Sequence, residues 1–241
     1  MTDLQPTVVF VHGAFAESAS WADVVESLQD RSLVTVAVAN PLRSLAGDAA
    51  YVRDVIAGIG GPVVLVGHSY GGMVITQAAA NNPAVIALVY VAAFAPETGE
   101  SAIELSGKFP GSSLGDTLVA YPLATGGNEF TIRQDAFHEQ FVADTIPEQA
   151  AIMAATQRPI TEAALAEPLP TDAPAWKSIP SWFVFGDQDL NIPVAVHRFC
   201  AERAESRDTT EVAGGSHAIS VSHPDKVAAT VLAALHVVPA S

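Results

Sequence analysis

The chain has 241 residues, 49% of them hydrophobic and 15% charged, with a formal net charge of −15. That length and composition suit a single domain with a sizeable core. The acidic balance repels phosphate backbones and anionic lipid, and no apolar run is long enough to span a bilayer, so neither nucleic acid nor a membrane is expected as a partner. The opening residues Met1 to Pro6 carry no basic segment and no apolar stretch of the kind a signal peptide needs. Cys200 is the single cysteine, unable to close an internal disulfide, and reads as a structural thiol in a reducing cytoplasm.

Strand-like and helix-like stretches alternate along most of the chain, which predicts α/β architecture around a mostly parallel sheet of about six strands with helices on both faces. Thr7–Val11 is a continuous β-branched run, as expected of a strand buried on both faces. It exits into His12-Gly13-Ala14-Phe15. Trp21, Val24, Val25 and Leu28 then recur at helical spacing, with Ser18 or Ser20 as candidate N-cap. A strand over Leu33–Ala39 and a helix carrying Val52, Val55, Ile56 and Ile59 on one face follow. Pro62 to Val66 is the next apolar run, and a fourth strand over Ile86–Ala93 exits into Phe94-Ala95-Pro96.

From Pro96 to Pro180 the rhythm changes to Gly, Pro and short helical pieces at Asp135–Asp144, Pro147–Gln157 and Thr161–Glu167, with no convincing buried strand. A stretch that long without regular alternation is uncommon in a compact domain unless it is functional. Residues 96–180 are therefore expected to form a small helical cap on a core made of 1–95 and 181–241. The sheet resumes at Ser181–Phe185. A helix over Val194–Ala204, a strand at Thr209–Ala213 and a last helix starting at Pro224 complete the chain.

The chemistry concentrates at strand exits. Gly67-His68-Ser69-Tyr70-Gly71 lies between an apolar strand and a small-residue helix, the context in which a sharp turn lifts a serine hydroxyl into reach. A serine needs a base within hydrogen-bond distance, and the base needs a carboxylate to orient it. His217 follows the last strand and Asp189 the strand before it, giving the order Ser69, Asp189, His217. Asp187 competes for the acid role, but the loop Gly-x-x-Asp-x-x-x-Pro places it at Asp189. His12 and His68 read as loop-fixing residues. His138, His197, His223 and His236 fall on helices and read as surface histidines. Two backbone N–H groups should hold a developing oxyanion, one from Tyr70 and one from Ala14, with Phe15 as the alternative to Ala14. Phe15, Tyr70, Phe94, Phe137, Trp176 and Ile219 are the candidates for an apolar pocket. No cluster has the spacing of a metal site.

Val8–Phe15, Gly67–Gly72, Gly186–Pro193 and Gly214–Ser220 resemble the motifs of the α/β-hydrolase superfamily, over essentially the whole chain. Within it the sequence is similar to small capped bacterial esterases. It also resembles the plant branch of methyl esterases and hydroxynitrile lyases, through Val-His-Gly-Ala, Gly-His-Ser-x-Gly-Gly-Met and Ala92-Ala93-Phe94-Ala95-Pro96. The resemblance implies cofactor-free hydrolysis of a small-molecule ester through an acyl-enzyme. So little chain precedes Thr7 that the superfamily's usual first two strands should be missing or vestigial. The lyase members carry a threonine where Gly13 stands and a lysine where Ala218 stands, so cyanohydrin cleavage is not expected. A small-molecule receptor with an intact triad and a cofactor-free perhydrolase or haloperoxidase are the alternative readings. A homodimer is an assembly the sequence leaves open.

Overall fold

The computed structural model describes residues 5–236. Its elements run β1 (Thr7–Val11), α1 (Ala22–Gln29), β2 (Thr35–Val38), α2 (Leu45–Ile59), β3 (Val63–His68), α3 (Gly71–Ala79) and β4 (Val85–Val91). An insertion follows, with α4 (Ala102–Ser106), α5 (Leu114–Thr117), β5 (Leu118–Pro122), β6 (Asn128–Ile132), α6 (Gln134–Phe141), α7 (Pro147–Thr156), β7 (Ile160–Thr161) and α8 (Glu162–Ala166). The chain returns through β8 (Ser181–Gly186), α9 (Val194–Arg203), β9 (Asp208–Val212), α10 (Ile219–Ser222) and α11 (Pro224–His236).

Six strands form one parallel sheet in the order β2-β1-β3-β4-β8-β9. Val9 opposes Leu65 and Val66 opposes Val89, so the apolar runs of β1, β3 and β4 lie side by side at the centre. All of their residues except Ile86 are buried, which is why these strands show no polar alternation. From β1 the chain moves one way to β2 and then crosses back to β3. Right-handed crossovers therefore put α1 on one face and α2 and α3 on the other. The packing of α1 against α11, and of α2 against α3, agrees. The order reverses beside β1, and the crevice outside the carboxyl ends of β1 and β3 is where such sheets bind ligands.

Two expectations change. Neither Ser18 nor Ser20 caps α1: a short 3₁₀ turn, Ser18–Trp21, precedes the helix, and the hydroxyls go instead to the Val38 and Glu17 carbonyls. The insertion is not purely helical, because β5, β6 and β7 form an antiparallel sheet of their own. The hairpin turns at Gly126 and Gly127, both with left-handed φ (92° and 78°), and β5, although apolar in sequence, is almost wholly exposed. The insertion is tied to the core at the loop before α2. Glu167 accepts from Leu45 N (2.6 Å) at the helix's first turn, and Thr161 N donates to the Leu42 carbonyl (3.1 Å).

Candidate active site

Ser69 stands between β3 and α3 with φ 54°, a left-handed conformation that a serine adopts only when its surroundings impose it. The surroundings are backbone. A Cβ on Gly71 would strike the Val11 carbonyl oxygen, so only glycine lets α3 start this close to β1. A Cβ on Gly13 would sit 2.6 Å from Ser69 Cβ, so the β1 exit can approach the serine only without a side chain there. Phe15 (φ 60°) and Ala92 (φ 43°) share the left-handed conformation at the exits of β1 and β4. Strain of roughly 1–3 kcal/mol per residue thus gathers at the carboxyl end of the sheet.

Asp189 and His217 meet at the exits of β8 and β9. His217 Nδ1 donates to Asp189 Oδ2 at 2.7 Å, and both side chains are buried. The other carboxylate oxygen, Oδ1, accepts from the backbone N–H groups of Asn191 (2.8 Å) and Ile192 (2.9 Å). Burial alone would raise the Asp189 pKa. It is outweighed by the charge of His217 and by hydrogen bonds from His197 and His217, which hold the carboxyl well below the usual carboxylate range. Asp187 does not reach His217; its carboxylate accepts from Gly214 N (2.7 Å) and braces the turn before the histidine. Ser69 and His217 line one cavity, with no hydrogen bond between them among the described residues. In unliganded sites such bonds are commonly long and tighten when substrate arrives.

That cavity has a volume of about 240 Å³. The core contributes Ala14, Phe15, Ser69, Tyr70, Phe94, Ile192 and His217, and the insertion contributes Ala102, Ile103, Leu114, Leu118, Phe130 and Leu165. Among the described residues, no carboxylate, lysine or arginine lines it. Of the pocket candidates, Phe15, Tyr70 and Phe94 are in the lining, and Phe137, Trp176 and Ile219 are not. Phe137 is wholly buried against Phe141, its neighbour one turn along α6. Phe141 is the ring that packs edge-on to His217, at 5.0 Å. Trp176 donates its indole N–H to the Pro96 carbonyl (2.7 Å) and lies under Arg203. Ile219 starts α10 inside the core. A larger cavity of about 470 Å³ lies across Phe15, and neither Ser69 nor His217 lines it.

Around the serine, the amides of Ala14 and Tyr70 have no backbone acceptor among the described residues. Phe15 N is already engaged, donating to the Arg158 carbonyl at 3.0 Å. Tyr70 is pinned from its far end: its hydroxyl donates to Asp48 Oδ2 (3.0 Å), a buried carboxylate in the first turn of α2. Burial raises the Asp48 pKa against the bonds it accepts from Arg43, Tyr70 and Ser44. His68 Nε2 donates to the His217 carbonyl (3.2 Å), and burial, with the nearby His217 charge, drives the His68 pKa well down. His12 is also buried, its pKa lowered to about 4 chiefly by desolvation.

His197 departs furthest from its sequence reading. It is wholly buried and donates Nε2–H to Asp189 Oδ2 at 2.9 Å. The signal was its place on α9: Cys200, Ala201 and Ala204, at i+3, i+4 and i+7, are all buried as well. Asp48 offered no such signal, since an aspartate in a helix's first turn ordinarily faces water.

Residues 8–230 match the model of the Alpha/beta hydrolase family. The chain belongs to that family. The α/β hydrolase nvfD of Aspergillus novofumigatus is 26% identical to this hydrolase over 245 residues, covering 93% of this chain and 94% of its own. The carbendazim hydrolyzing esterase of a Nocardioides species is 35% identical over 113 residues, which cover 40% of this chain and 46% of that esterase. Among solved structures, polyneuridine aldehyde esterase superposes with a TM-score of 0.80 at 20% identity, over 95% of this chain and 99% of its own. That last likeness concerns the fold. Among the described residues, no helix is long and apolar enough to cross a membrane, and no group of three or more His, Cys, Asp or Glu side chains could hold a metal ion.

Proposed function

We propose that this hydrolase cleaves small, uncharged, largely apolar carboxylic esters or lactones through an acyl-enzyme on Ser69. The observation that carries the reading is the buried Asp189–His217 hydrogen bond beside a strained serine, at a cavity lined by no charged carboxylate or amine. A charged substrate would lose its hydration there without a counter-ion in return. The volume lies below the roughly 300–1,000 Å³ of drug-sized sites, which favours a small substrate. Two of the related proteins carry the name esterase, in keeping with this assignment.

In the proposed mechanism Ser69 Oγ attacks the ester carbonyl carbon while His217 Nε2 takes the hydroxyl proton. Asp189 holds the imidazole by Nδ1 and stabilises the imidazolium that forms. The amides of Tyr70 and Ala14 receive the oxyanion; Phe15 is the weaker candidate because its N–H is already given to Arg158. Collapse breaks the C–O bond, and the imidazolium passes its proton to the departing alcohol. Water then attacks the acyl-Ser69 ester with His217 as base. The insertion closes the pocket over the serine and sets which acyl and alcohol groups fit.

Steady-state release of p-nitrophenol from p-nitrophenyl acetate tests the reading. Many turnovers per protein are expected, falling by up to about 10⁶ in folded Ser69→Ala. A single stoichiometric burst would identify a receptor rather than an enzyme. Ser69→Ala within tenfold of wild type would remove the serine from the mechanism.

A further inference from the structure

The acid of the site has a second histidine on it. Asp189 Oδ2 accepts from His217 Nδ1 (2.7 Å) and from His197 Nε2 (2.9 Å), while Oδ1 takes two backbone N–H groups. The His197 ring is wholly buried and stacks on Phe185, the penultimate residue of β8, at 4.9 Å and 18°. Its Nδ1 has no partner among the described residues. The carboxylate therefore fixes a proton on Nε2, since a proton on Nδ1 would be buried without an acceptor.

We propose that His197 is a positioning residue of the hydrolase, holding the Asp189 carboxylate in the one orientation that presents Oδ2 to His217. The inference rests on the proposed roles of Ser69, Asp189 and His217. The two backbone bonds fix only Oδ1. Oδ2 projects away from them, and with His217 as its sole donor the carboxylate could turn whenever the imidazole moves during proton transfer. The second donor comes from a ring clamped by β8 and α9, so it stays in place while His217 cycles. It reaches no substrate: His197 is absent from the lining of the Ser69 cavity, and its whole effect passes through Asp189. A buried histidine with only a packing role would not need its one satisfied nitrogen on this oxygen.

The experiment measures kcat and KM for p-nitrophenyl acetate, with thermal melting to confirm folding. The variants are His197→Leu, His197→Gln, Asp189→Asn and the Asp189→Asn/His197→Leu double. His197→Leu is expected to lower kcat roughly 10- to 100-fold with KM within about twofold, because the lost bond is to a charged group that acts in the transition state. His197→Gln, whose amide N–H can occupy the Nε2 position, should recover kcat to within about threefold of wild type. In the Asp189→Asn background, His197→Leu should cost less than about twofold more, since both changes disable one unit. If His197→Leu does not fold, His197→Asn replaces it: polar but too short to reach Oδ2, it should lose as much kcat. A His197→Leu kcat within about twofold of wild type, a Gln variant as poor as Leu, or full additivity with Asp189→Asn each overturns the proposal. Ser69→Ala is assayed alongside. If it is inactive and His197→Leu is unimpaired, this inference alone falls; turnover surviving in Ser69→Ala removes both readings.

Discussion

The parallel sheet and the insertion are built on different terms. In the sheet, β1, β3 and β4 are buried on both faces and their register is fixed over their whole paired length, apart from one irregularity at Val63 and Val64. The insertion instead assembles short helices around a hairpin whose first strand is almost wholly exposed. All of Ser69, Asp189 and His217 leave the ends of sheet strands, whereas half the apolar wall of the cavity comes from the insertion. The proposed reacting constellation would tolerate little displacement and so belongs beside rigid elements, whereas a wall can change shape without disturbing the chemistry.

Asp189→Asn is the strongest way to break that division. It should lower kcat by about 10⁴, as loss of the orienting carboxylate does in serine hydrolases generally. Asp187→Asn, two residues away, removes only a charge, since the amide oxygen can still accept from Gly214 N, and should cost less than about tenfold. Equal losses would mean that the acid is misassigned within the loop. The smaller effect is expected in the insertion. Phe130→Ala opens the wall from β6, and should change the preference between short and long acyl chains by roughly 10-fold, with kcat on an acetate ester nearly constant. Loss of acetate turnover in folded Phe130→Ala would show that the insertion takes part in the chemistry itself.

The same contrast explains what could be read from the residues alone. A strand buried on both faces must be continuously apolar, so Thr7–Val11 and the run into Ser69 announced themselves. The glycines beside the serine did too, because backbone sits where their side chains would be. The hairpin of β5 and β6 was hidden because Leu118-Val119-Ala120-Tyr121 is a short apolar run that the fold leaves almost wholly exposed, and a run that short does not by itself declare a strand, although Gly126-Gly127 marked its turn. The sequence reading puts Phe137 in the pocket and passes over Phe141 for another reason. Both are buried on α6, and only the three-dimensional packing decides which ring faces His217. His197 was obscured by residue type: a helical histidine ordinarily faces water, and its partner lies in a loop before the helix begins.

Whether Ser69 is the nucleophile is tested most directly by labelling, without any assumption about substrate. A fluorophosphonate reacts with an activated serine by forming an O–P bond and expelling fluoride. The labelled protein is digested and the adduct located by mass spectrometry. One adduct per chain is expected, on Ser69, lost in Ser69→Ala and strongly slowed in Asp189→Asn. An adduct on another residue, or none on folded protein that turns over p-nitrophenyl acetate, would contradict the assignment of Ser69.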